Sequence, residues 1–193
     1  MSKVPETNDL PFFLEANFAD AEERLLELLR KLPPSDEADL RVNDLQTLVY
    51  ETMPELSGVA QKIAQLLRQG VSTIVVQKLP FSRVGLESSK LALLAFVSCI
   101  GEPGAVDPYS RKRVWEVSPR VGPGPGYIPT ITEHNYGADL HTDSSFKLTP
   151  EQYVLFFAFH PAVDGGGIST LLSKDSYSRG FQRLTREKSV LGF

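Results

Sequence analysis

The sequence predicts an α+β fold, because helical patterns fill its first half and strand-like runs its second. Three observations carry this. Apolar residues recur at helical spacing over 21–32 and again from Val59 to Leu67. Val71–Val76 is rich in β-branched side chains. Tyr153–Phe159 is an unbroken apolar run between Pro150 and Pro161.

The first helix places Ala21, Leu25, Leu28, Leu29 and Leu32 on one face and Glu22, Glu23, Glu27 and Arg30 on the other. Pro33-Pro34 stops it. A second helix opens near Pro54, closes at Gly70 and presents Val59, Ile63, Leu66 and Leu67 together. Val71–Val76 then reads as a strand. Ser88-Ser89 are placed to cap a third helix through Ile100, ended by Gly101 and Pro103. Arg113–Val117 is a short candidate strand. The Gly/Pro stretch Pro119–Gly126 excludes regular structure and reads either as a surface loop or as a lid over a pocket. Tyr153–Phe159 fits a strand buried on both faces. Asp164-Gly165-Gly166-Gly167 makes a turn into a strand over Ile168–Leu172, and 175–188 reads as an exposed helix.

With 193 residues the chain is long enough for one domain with a substantial core. Its net charge of −4 comes from interspersed acids and bases, which gives no basic surface for nucleic acid. No apolar run approaches the roughly 20 residues of a membrane span, and Met1–Thr7 lacks the apolar core of a signal peptide. Cys99 is the single cysteine, so an internal disulfide and a cysteine-based zinc site are both excluded. It falls in the apolar run Leu91–Ile100 and reads as a core thiol. These features point to a cytoplasmic protein.

The chemistry-bearing segment is Leu140-His141-Thr142-Asp143-Ser144-Ser145-Phe146. An imidazole and a carboxylate two residues apart on an extended segment point to the same side. Non-haem Fe(II) centres use two histidines and one carboxylate on one face and leave the opposite positions open. His141 and Asp143 are residues of the kind that make up two of the three ligands of such a centre, although His-x-Asp alone recurs by chance in many chains.

In order, His141-Thr142-Asp143, Phe146, Thr149-Pro150, the apolar run, three glycines and Ser169-Thr170 resemble the Fe(II)- and 2-oxoglutarate-dependent dioxygenases of the taurine dioxygenase and clavaminate synthase-like superfamily. The resemblance extends loosely over residues 55–178, with Gly70–Leu79 similar to the first core strand and Ile100-Gly101-Glu102-Pro103 to the segment after the following helix. It implies a double-stranded β-helix, or jelly-roll, with N-terminal helices packed on the sheet. Residues 1–54 would then be a helical extension and 55–193 the first part of the core, the whole forming a single domain that is the N-terminal portion of the family fold. It further implies that His141 and Asp143 bind Fe(II). Ser169, or Thr170 one register away, would contact a carboxylate of 2-oxoglutarate. His134, Asn135 and Tyr136 lie where relatives contact substrate. The implied reaction hydroxylates, desaturates or cyclises a small molecule with release of succinate and CO₂. Asp143 argues against halogenation, since related halogenases replace this carboxylate with a small residue.

The family's distal histidine, the arginine for the far carboxylate of 2-oxoglutarate and the closing strands have no counterpart before Phe193. His134 precedes the motif, and His160 follows Asp143 closely. A C-terminal segment or a second chain is expected to supply the missing groups. Two alternatives stay open: a degenerate, non-catalytic jelly-roll acting as an interaction module, and a different metal site built from His141, Asp143 and His160.

Overall fold

Helices form where the sequence concentrates apolar residues at three- and four-residue spacing, and they enclose the core. The computed structural model describes residues 11–16, 18, 20–32, 40–105, 109, 112–118, 139, 141–143, 147–160, 170–171 and 178. Among these, strand β1 (Phe12–Glu15) is followed by α1 (Ala21–Lys31), α2 (Val42–Thr52), α3 (Pro54–Arg68), β2 (Ile74–Gln77), a 3₁₀ turn (Pro80–Arg83) and α4 (Leu86–Ser98). The described architecture is thus four helices with a two-stranded sheet.

The predicted helices over 21–32 and from Pro54 are present. Pro54 occupies the first turn of α3, where its missing N–H costs nothing. At the other end Gly70 takes φ 88°. Its N–H donates to the Leu67 carbonyl at 3.0 Å and that of Val71 to the Leu66 carbonyl at 3.1 Å, the double bond of a Schellman stop. The third predicted helix begins earlier than expected, at Leu86 after Gly85. Ser89 is accordingly not a cap but a buried residue of the first turn. Its hydroxyl donates to the Phe81 carbonyl at 2.6 Å and so ties α4 to the 3₁₀ turn.

Helix α2, which the sequence reading passed over, touches α1, α3 and α4 and buries Leu45, Val49 and Thr52. Two side chains cover carbonyls left open at helix ends. Gln46 donates from Nε2 to the Ser98 carbonyl at the end of α4 (2.6 Å). The Arg24 guanidinium donates to the Thr52 carbonyl at the end of α2 (3.2 and 3.1 Å). Arg24 also pairs with Glu55 at 2.7 Å, joining α1 to both α2 and α3.

One core cluster runs from Leu25 and Leu28 through Leu45, Val49, Met53, Leu56 and Ile63 to Phe81, Leu94 and Phe96. It draws on both sides of residue 54, so the helical extension and the start of the expected core share one interior. Strands β1 and β2 pair in parallel, Phe12 opposite Ile74 and Leu14 opposite Val76. Leu14, Ile74 and Val76 pack on the core, while Phe13 on the other face is exposed. An ion pair between Glu15 and Lys78 closes the end of the ladder. The expected strand over Val71–Val76 is therefore real but shifted, starting at Ile74.

Two further expectations fail in the described residues. Arg113–Val117 forms no strand. Instead Arg113 donates to the Leu40 carbonyl at 2.8 Å, and Glu116 accepts from Lys90 of α4 at 3.0 Å. Tyr153–Phe159 is neither a strand nor buried on two faces: Tyr153, Val154, Leu155 and Phe156 are exposed, the last at 77%. An apolar strand becomes regular only when neighbours complete its ladder and cover its faces, and no described residue pairs with this run. Only Phe157 reaches the core, edge-on to Phe81 with ring centroids 5.7 Å apart. The Gly/Pro stretch and the expected helix over 175–188 lie outside the described residues, apart from Ser178. So does the strand over Ile168–Leu172, apart from Thr170 and Leu171, which are not in a strand. No described helix is long and apolar enough to cross a membrane.

Candidate metal site

His141 and Asp143 are brought together. The imidazole Nε2 lies 3.2 Å from Asp143 Oδ1, and the side chains keep 53% and 45% of their surface exposed. The other ring nitrogen, Nδ1, sits 2.7 Å from the backbone carbonyl of Asp139. A carbonyl only accepts, so Nδ1 carries the proton. In the neutral ring that leaves Nε2 an acceptor, 3.2 Å from a carboxylate oxygen.

Two acceptors at this distance need a cation between them. A proton is the simplest one, and the His141 pKa is accordingly raised above its ordinary value. The Asp139 carbonyl contributes most by holding the ring N–H, opposed by slight desolvation and reinforced by the negative charge of Asp143. A divalent metal is the other candidate. Ligands held about 2.1 Å from one ion at right angles lie about 3.0 Å apart, close to the 3.2 Å found. A backbone carbonyl on Nδ1–H is also the usual support of a metal-bound imidazole, because it fixes the tautomer and orients the ring. The donor types suit a divalent metal, and the separation is equally that of an ordinary imidazole–carboxylate hydrogen bond.

Among the described residues no three His, Cys, Asp or Glu side chains cluster closely enough to hold a metal ion. His160 is exposed, with its ring edge-on to Phe159 at 4.4 Å, and does not join the pair. Thr170 is exposed and not in a strand. Ser169, His134, Asn135 and Tyr136 lie outside the described residues. The sequence did not signal Asp139, which acts through its carbonyl and so leaves no side-chain signature. Cys99 is half-buried at the end of α4, and burial pushes its thiol up to about 11, a value unsuited to metal binding or nucleophilic chemistry near neutral pH.

No family model, curated protein or solved structure matches this chain.

Proposed function

We propose that this chain belongs to an Fe(II)- and 2-oxoglutarate-dependent oxygenase acting on a small molecule. In this reading His141 Nε2 and Asp143 Oδ1 supply two iron ligands. The observation that supports it is the juxtaposition of His141 Nε2 and Asp143 Oδ1 at 3.2 Å, with Nδ1–H held by the Asp139 carbonyl. Support comes also from the ordered run of His-Thr-Asp, Thr-Pro, glycines and Ser169-Thr170. Iron and 2-oxoglutarate, when bound, supply oxidation of an unactivated C–H bond coupled to release of succinate and CO₂; the protein orients and shields that chemistry. Ser169 or Thr170 would contact the cosubstrate, and His134, Asn135 and Tyr136 the substrate. The jelly-roll belongs to the same proposal. So do a third ligand and an arginine contributed by a further segment or a second chain.

A second reading is favoured by the exposure of the pair: a jelly-roll relative serving as an interaction module, in which His141 and Asp143 make only a surface ion pair.

Anaerobic Fe(II) titration with and without 2-oxoglutarate separates them. The oxygenase reading expects a weak visible charge-transfer band that is lost in Asp143→Ala, with uptake of metal releasing protons as pH is lowered and iron displaces them from His141. Well-folded protein that neither develops the band nor releases a proton would overturn it for this polypeptide.

A further inference from the structure

We draw no further inference here: the strongest candidate, the exposed apolar run Tyr153–Phe156 beside the point where Phe157 meets Phe81, carries nothing because no feature of the structure shows what covers it.

Discussion

Residues 21–98 and residues 139–160 treat similar side chains in opposite ways. In the first region Leu25, Leu28, Val49, Met53, Leu56, Phe81 and Phe96 lose essentially all contact with solvent. In the second, Leu148, Tyr153, Val154, Leu155 and Phe156 keep much of theirs. The candidate pair His141–Asp143 belongs to the second region. The difference is one of partnership rather than composition. Helices satisfy their own backbone and need only one covered face. An extended apolar run needs a ladder on its edges as well as cover on its faces.

If stability resides in the helical region, the largest loss follows from Phe81→Ala, which empties a fully buried site against Phe96. About 3–5 kcal/mol is expected in urea unfolding. Combining it with Phe157→Ala sharpens the comparison, because that ring contact is an aromatic bridge between the two regions. A coupling of about 0.5–1.5 kcal/mol in the double-mutant cycle means the regions fold together. Strict additivity breaks the link.

Next comes alkaline behaviour. Cys99 has its folded pKa raised from 9.0 to about 11 by burial, so burial favours the neutral thiol. Its contribution to stability is complete below pH 9 and is lost as pH rises through 11. At pH 8 native protein should alkylate about 100-fold more slowly than urea-unfolded protein, two decades of thiolate population. Equal rates would place the thiol outside the packed region.

A smaller effect is expected at the end of α3. Gly70 has φ 88°, yet an added Cβ would meet nothing within 4 Å. Gly70→Ala should therefore cost only the backbone penalty, about 1 kcal/mol in thermal unfolding. A much larger loss would mean that the helix stop carries more than its own turn.

The smallest effect is expected at the proposed site. Asp143→Ala removes one member of a half-exposed pair, and its thermal unfolding should stay within about 0.5 kcal/mol of the parent. A loss comparable to that of Phe81→Ala would erase the distinction between the two regions.

The same partnership argument explains what the sequence made legible. Helices α1 and α3 were readable because Leu25, Leu28, Ile63 and Leu66 announce a buried face locally. Helix α2 was missed although Leu45, Val49 and Thr52 share its buried face. Asn43, Asp44 and the β-branched Thr47 and Val49 dilute its helical signal, and contacts with three other helices decide the outcome. Strand β1 was missed because four residues after a proline say little until Ile74–Gln77 is beside them. The strand expected over Tyr153–Phe159 shows the converse, a strong local pattern without a pairing partner among the described residues. At the site the juxtaposition of His141 and Asp143 was legible from their spacing. The Asp139 carbonyl that selects the tautomer was not, since every residue carries one.

The parallel pairing of β1 with β2 also has a consequence for synthesis of the chain. Phe12, Phe13 and Leu14 leave the ribosome roughly 60 residues ahead of the strand they pair with, which at 5–20 residues per second is a wait of about 3–12 s. During that interval three consecutive apolar residues with an open edge are available to any neighbouring nascent chain, and β1 waits unpaired until β2 has been made.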